Sequence, residues 1–387
     1  MTRVTPHSDW RSSLWIDGPT FAAYRQGRFI VVELKESHQV ITTSSCVGGL
    51  NTGIKHLVNH QSCEGSGHNE RFVKITELGL DGYHRSVCGE LSLNAETTAV
   101  MGTAANMIYA AHESLVFDEI RVDAIVTAGV ESNATCAGDP ANWIETPEGW
   151  NNVAHAAGTI NTIIVINRPL MPEALVRTLL TITEGKTAAL TELGVSSRYS
   201  QDLATGTGTD QVCVAAPVSR GGYAYRSASP HTKLGELLGR AARTATKKAL
   251  QWQNGLEPSL TRSLVHALRR FGFSEAAVTE EMRTRLDDSL MELLEKNKNA
   301  VLYEPQVAAA GYAFAAVWDR VRFGVLPASA AREILRQQAA TIAASLSART
   351  ESWHSFWQQL DVNMDRPLDA VYDALALGWT AKWQSKP

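Results

Sequence analysis

The 387-residue chain is defined first by what it lacks. No apolar stretch approaches the roughly eighteen residues that a membrane-spanning helix needs, so a bilayer span is excluded. Positive charge is not in excess: 36 Lys and Arg stand against 40 Asp and Glu, a formal charge of −4, so no nucleic-acid partner is expected. Cysteine is scarce. The five present (Cys46, Cys63, Cys88, Cys136, Cys213) are odd in number, widely spaced and without a CxxC pair. That excludes a disulfide framework and favours reduced thiols. The N-terminal MTRVTPHSDWRSSLW has no continuous apolar segment of the secretory type, and the expectation is a cytoplasmic protein. Internal repeats and low-complexity tracts are also missing. What remains is an ordinary globular composition, 44% hydrophobic and 20% charged, with a length that suits two or three domains of roughly 150 residues.

Three regions differ in character. Residues 1–27 are polar with scattered aromatics and read as a packed-on arm. From 28 to 255, β-branched runs recur: RFIVVEL (28–34), QVITTS (39–44), RFVKITEL (71–78), RVDAIVTAGV (121–130), TINTIIVI (159–166) and DQVCVAAPV (210–218). Such runs read as strands. Helical patterns at 95–117, 172–193 and 230–254 separate them, which predicts an α/β or α+β layered domain with a mixed sheet and flanking helices. From 256 to 387 strand signals vanish, and long helical patterns such as 275–297 and 328–347 predict an all-α C-terminal extension. Six of the ten tryptophans lie beyond residue 250, and Trp353 with Trp357 and Trp379 with Trp383 stand at i,i+4. An aromatic packing face is the preferred reading, with room left for a homo-oligomer. Asp361, Asp365, Asp369 and Asp373 recur every four residues, but Pro367 breaks the run and a solvated face explains it better than a metal stripe.

Two helices carry candidate chemistry. In 172–193, Val176, Leu179, Leu180, Thr183, Glu184, Thr187 and Leu190 fall on one face, which places Glu184 on the inward stripe as a candidate general base. In 230–254, Ser229 reads as N-cap and Pro230 as first helical residue. His231 then lies in the first turn, where the positive end of the dipole disfavours imidazolium and leaves a neutral base.

Four segments next to strands are dense in Gly, Thr, Asn and acid: SSCVGGLNTG (44–53), TAGVESNATCAGD (127–139), TGTGTD (205–210) and SPHTKLGE (229–236). Loops at strand ends, held by a rigid sheet, are where layered α/β proteins put ligands. TGTGTD is no P-loop, because it lacks GK[ST] and enters a strand. There is no GxSxG elbow. His56, His60, Cys63 and His68 make an H-x3-H-x2-C-x4-H array, but its thirteen residues offer no second knuckle. A solvated helix end is the preferred reading, and no metal is expected.

The run GTINTIIVINRPLMPEALVRTLLTITEGKTAALTELGV (158–195), followed by TGTGTDQVCVAA (205–216) and HTKLGELLG (231–239), resembles the adenosylcobinamide amidohydrolase family. Upstream, TAGV with NATCAGD, Gly48 and Gly49 with LVNHQ (57–61), and GLD (79–81) with GTAAN (102–106) are similar to the rest of its pattern. The resemblance covers about residues 28–250 in the family's order. It implies corrinoid salvage: hydrolysis of the amide joining the corrin side chain to aminopropanol, releasing adenosylcobyric acid and 1-amino-2-propanol. Cobalt then enters only with the corrinoid substrate, and no other cofactor is expected. Three departures concern the substrate: a longer segment, PANWIETPEGWNNVAHAA (140–157), an apparent extra residue in TAGVES, and the tail from 256.

Amide hydrolysis needs an activated nucleophile, donors for the oxyanion and an acid for the leaving amine. His231 or Glu184 is expected to activate water, with His60 as alternative base. Lys186 and the backbone of Thr207, Gly208 and Thr209 are expected to stabilise the oxyanion, while Asp210 orients His231 or a hydroxyl. Asn133, Asn161 and Lys233 join Gly48 and Gly49 as substrate-binding candidates. A covalent route through Ser44, Ser45, Thr207 or Thr209 stays open. Cys46 carries no mark of an ionised thiol. Glu184 and Lys186, two residues apart, do not share a helix face, so one of them is expected to be solvated. The readings to separate are this amidohydrolase, the same scaffold acting on another amide, and a corrinoid-binding module without turnover.

Overall fold

The computed structural model describes residues 9–63, 68–141, 143–147, 149–152 and 158–384. The chain divides into two compact units, Met1–Gly255 and Leu256–Pro387.

The first unit begins with strands β1 (Leu14–Asp17), β2 (Phe21–Gln26), β3 (Phe29–Leu34), β4 (His38–Thr42), β5 (Gly49–Asn51) and β6 (His56–Gln61), then helix α1 (His68–Glu90). Strands β7 (Thr98–Thr103), β8 (Ala111–Phe117) and β9 (Ile120–Gly129) follow, with the short β10 (Ala134–Thr135) and the hairpin β11 (Trp143–Thr146) and β12 (Gly149–Asn152). The unit closes with β13 (Thr159–Ile166), α2 (Pro172–Glu192), β14 (Gly206–Thr207), β15 (Gln211–Pro217) and α3 (Lys233–Asn254).

Two mixed sheets result. One has the order β1-β2-β3-β6-β7, the other β5-β4-β15-β13-β9-β8. Only β6 with β7 and β13 with β15 run parallel, and each pair is joined by a crossover containing a helix, α1 and α2 respectively. Ile30, Val32, Leu57 and Met101 face Val40, Ile125, Ile163 and Cys213 in a core between the sheets. The opposite face of the first sheet, with Phe29, Val31 and Val58, buries Tyr83, Val87 and Leu91 of α1. Helices α2 and α3 cover the outer face of the second sheet. The unit is a four-layer helix–sheet–sheet–helix sandwich. β3 is covered on both faces, which is why it reads as an unbroken apolar run with no alternation.

Four local expectations are corrected. The presumed arm supplies β1 and β2 of the first sheet. RFVKITEL (71–78) belongs to α1, not to a strand. The segment 95–117 holds β7 and β8 in place of a helix, because its alanines fill the tight space between sheets. The helix expected at 230 starts at Lys233, capped by the Thr232 hydroxyl, which accepts from the Gly235 amide at 3.1 Å.

The second unit is all helical: α4 (Pro258–Thr261), α5 (Leu264–Leu268), α6 (Glu275–Arg283), α7 (Asp288–Leu302), α8 (Pro305–Arg322), α9 (Ala328–Ser347), α10 (Trp353–Gln359) and α11 (Asp369–Trp383). The pattern read as one helix over 275–297 is two, because the Asp287 carboxylate caps α7 by accepting from the Leu290 amide at 2.8 Å. The tryptophans pack as the i,i+4 spacing suggested. Trp379 is 2% exposed and donates to the Leu290 carbonyl, while Trp353 and Trp357 lie against the core. Asp361, Asp369 and Asp373 each pair with an arginine (Arg332, Arg366 and Arg285). Among the described residues no cluster of His, Cys, Asp and Glu could hold a metal ion, and no helix is long and apolar enough to cross a membrane.

Candidate active site

One end of the sandwich gathers most of the loops singled out above. Gly129 at the end of β9 pairs with Thr159 at the start of β13, and Asn161 pairs with Gln211 at the start of β15. The Thr43 amide, just beyond β4, donates to the Val212 carbonyl. Segments 44–53, 127–139 and 205–210 therefore open at the same pole.

At its centre lies an ion pair. Lys186 Nζ, carried by α2, stands 2.5 Å from Asp210 Oδ2, with side-chain exposures of 14% and 17%. Asp210 accepts four hydrogen bonds: from Lys186 Nζ, from the Thr207 amide (3.1 Å), from Thr207 Oγ1 (2.5 Å) and from the Ile160 amide (2.9 Å). A carboxylate offers about four lone-pair sites, so this one is saturated. Asp210 is thus a clamp that fixes Lys186 and the Thr207 hydroxyl. Gly206 makes the clamp sterically feasible, since a Cβ there would lie 2.5 Å from Asp210 Oδ2 and 2.6 Å from Lys186 Nζ. Gly208 and Thr209 stand exposed at the tip. The Thr209 and Thr159 hydroxyls are hydrogen-bonded at 2.6 Å, and each lies 2.8 Å from the Gly158 carbonyl oxygen, which accepts from the one that does not donate to its neighbour.

Asn133 braces this tip. Its Nδ2 donates to the Gly158 carbonyl at 3.0 Å, and its Oδ1 accepts from the Tyr199 hydroxyl at 3.1 Å. Beside it the Asp139 carboxyl is pushed up by burial but is held below its ordinary range by hydrogen bonds, chiefly from Ser197 and Ser200, then Cys136 and Thr135.

Deeper in, polar side chains cross from one sheet to the other. Asn161 Nδ2 donates to Asn59 Oδ1 at 2.9 Å, and Asn59 Nδ2 donates to Thr127 Oγ1 at 2.7 Å. Gln211 Oε1 accepts from the Gly102 amide, and Ser44 Oγ donates to the Val100 carbonyl. Ser44, Asn161 and Gln211 thus cover the free edge of β7, whose backbone groups need partners. Asn161 is wholly buried, and its Oδ1 has no partner among the described residues. A buried acceptor of this kind is ordinarily met by water. Sequence reasoning missed Asn59, Thr127, Thr159, Tyr199 and Gln211. The available signal was a polar residue at an inward position of an apolar strand, visible at Asn59 and Thr127.

Other candidates are not brought here. His231 is exposed, precedes α3 and lies with Lys233 at the far pole. The Lys233 ammonium sits 4.5 Å from the Phe117 ring, beside the β8–β9 turn. The ten residues of β9 separate that turn from Gly129, about 30 Å at strand rise. Glu184 is exposed on the outer face of α2. The buried face is Ala174, Leu175, Thr178, Thr181, Ile182, Gly185, Ala189 and Leu190, because small residues let α2 approach its neighbours closely. His60 points to the α1 side of the first sheet, stacked on Phe29 at 4.6 Å, while Asn59 points between the sheets. Gly48 and Gly49 build the turn: a Cβ on Gly48 would fall 2.1 Å from the Ser44 carbonyl oxygen, and Gly49 has φ +76°. Ser45 is exposed on the same loop. The Cys46 thiol is pushed up by burial and by Asp81, away from a thiolate nucleophile. Of the His56, His60, Cys63 and His68 array, the side chain of His68 lies outside the described residues.

The model of the adenosylcobinamide amidohydrolase family matches residues 16–258. The chain belongs to that family. It is accordingly a hydrolase of carbon–nitrogen amide bonds. An uncharacterised protein of Methanocaldococcus jannaschii is 29% identical over 269 residues, covering 66% of this chain and 98% of the relative. Among solved structures, a protein of Pyrococcus horikoshii aligns at TM-score 0.30 and 13% identity, over 61% of this chain and 82% of the other. A β-aminopeptidase of Burkholderia sp. aligns at 0.28 and 14%, over 61% and 80%. The L-aminopeptidase D-Ala-esterase/amidase of Ochrobactrum anthropi aligns at 0.29 and 11%, over 62% and 82%. Superpositions this loose do not fix the fold, which rests on the strand order described above.

Proposed function

We propose that the chain hydrolyses the aminopropanol amide of adenosylcobinamide, releasing adenosylcobyric acid and 1-amino-2-propanol, in corrinoid salvage within the cytoplasm. The observation that carries this reading is the family match across residues 16–258, which takes in every residue of the Lys186–Asp210 clamp. The cobalt belongs to the substrate. The scissile amide lies over the exposed tip at Gly208 and Thr209, where water adds to the carbonyl. The Lys186 ammonium meets the oxyanion, Asp210 keeps it aimed, and the Thr209 hydroxyl holds the attacking water; as the C–N bond breaks, the proton given up by that water passes to the leaving aminopropanol nitrogen. The β11–β12 hairpin connects Asp139 to Gly158, both at this pole, and so supplies a rim that selects the substrate. That rim is the one observation favouring a second reading, in which the same chemistry serves another amide.

Removing one oxyanion donor typically costs about 10²–10³ in rate. Lys186→Ala and Asp210→Asn are each expected to lower kcat/KM for adenosylcobinamide at least a hundredfold, with unchanged circular dichroism. His231→Ala is expected to stay within twofold of the parent. Near-normal rates for both clamp variants would remove the site from this pole.

A further inference from the structure

The outer face of α2 is apolar along its middle and charged along one flank, and it is exposed among the described residues. Val176 and Leu180 are each 53% exposed on this helix. Arg177 and Glu184 are exposed too, with no ion pair to either among the described residues. Val176 and Leu180, four residues apart, lie one above the other and form a short exposed apolar stripe.

We infer that this face binds a second copy of the chain, with the two α2 helices antiparallel about a twofold axis at Leu180. The charge pattern selects this occupant. At a rise of about 1.5 Å per residue, Arg177 lies about 4.5 Å to one side of Leu180 and Glu184 about 6 Å to the other. Antiparallel pairing brings Arg177 of one copy to nearly the same height as Glu184 of its partner. At about 100° per residue the two also share one flank of the stripe, and a twofold axis of this kind keeps each flank against itself. The other flank sets Val176 against the partner's Thr183 by the same count, and Leu180 meets Leu180 on the axis. Beyond Glu184, a shallow groove of about 560 Å³ is lined by Thr187, Ala188, Thr191, Glu192 and Arg243, the last two joined in an ion pair. The Arg177–Glu184 pairing therefore makes the surface self-complementary in sign, as an isologous contact requires. A single helix face is smaller than a standard stable interface, so the dimer dissociates reversibly on dilution. The inference does not depend on the substrate assigned above.

Sedimentation velocity of the full chain across a hundredfold range of concentration tests it. The expected result is a monomer–dimer equilibrium that Leu180→Glu shifts to monomer, raising the dissociation constant at least tenfold. Arg177→Glu is expected to weaken the dimer by placing like charges together, and Arg177→Glu with Glu184→Arg to restore it. All three positions are exposed, and circular dichroism confirms that the variants stay folded. A monomer at every concentration, a dimer indifferent to Leu180→Glu, or failure of the charge swap to restore pairing would each overturn the proposal.

Discussion

His38 shows how much a single buried side chain can set. It is wholly buried in β4, its Nδ1 lies 2.8 Å from the Glu36 carbonyl oxygen, and its Nε2 has no partner among the described residues. A ring nitrogen beside a carbonyl carries the proton, which leaves Nε2 as a dry acceptor. Burial lowers the pKa below the ordinary value near 6.5, with the Glu36 carbonyl only partly opposing it. Because the folded pKa lies below the unfolded one, the unfolded chain takes up the proton first. Stability is then full above about pH 6.5 and falls as the pH drops below it, by up to about 1.4 kcal/mol per pH unit for one group. Urea unfolding at pH 7.5 and 5.5 is expected to show this loss, and His38→Phe to reduce it. An unchanged difference between the two pH values in that variant would assign the loss elsewhere, with His56, also depressed by burial, as the next group to test. The thiols behave in the same spirit. Burial pushes Cys88 up to about 11 and Cys213 up to about 12, so neither is a nucleophile near neutral pH.

At the scale of elements, α2 organises the molecule. Its inner face contributes Lys186 to the clamp, and its tight crossing with α3 depends on glycine. A Cβ on Gly185 would stand 2.6 Å from the Gly239 carbonyl oxygen, a backbone atom that cannot swing away. Gly185→Ala is expected to separate the helices and cost about 1–3 kcal/mol, the usual range for overpacking. A melting temperature within a degree of the parent would show that the helices adjust freely. The same crossing explains what the sequence concealed. Reading α2 by its large apolar residues placed Val176, Leu180 and Glu184 on the inner stripe with Leu190, whereas the buried face joins Leu175, Ile182 and Leu190 to the small residues Ala174, Thr178, Thr181, Gly185 and Ala189. The strands β3, β9, β13 and β15 were legible because both their faces are largely covered, which leaves long apolar, β-branched runs, and β4 was legible by its alternating burial. α1 was not, because Gly79 (φ 67°, ψ 168°) interrupts its period and the β-branched RFVKITEL lies before that break. In the site, Asp210 and Lys186 stood out by composition, but their pairing across 24 residues needed the fold. The placement of His231 failed for the same reason: a helix start reveals a local dipole, not which end of a sheet it occupies.

For the whole molecule, the family match ends at residue 258 and the first compact unit at Gly255, so the candidate site is built entirely within one unit. The Leu256–Pro387 unit has its own core around α9, against which Trp318, Trp353, Trp357 and Trp379 pack, while Trp383 is half exposed. The Lys186–Asp210 clamp and the loops around it lie in the sandwich. The most direct measurement is incubation of the full chain with adenosylcobinamide, followed by mass spectrometry of the products. The account predicts adenosylcobyric acid and 1-amino-2-propanol in equal amounts, abolished by Lys186→Ala. Intact adenosylcobinamide after prolonged incubation with folded protein would contradict it.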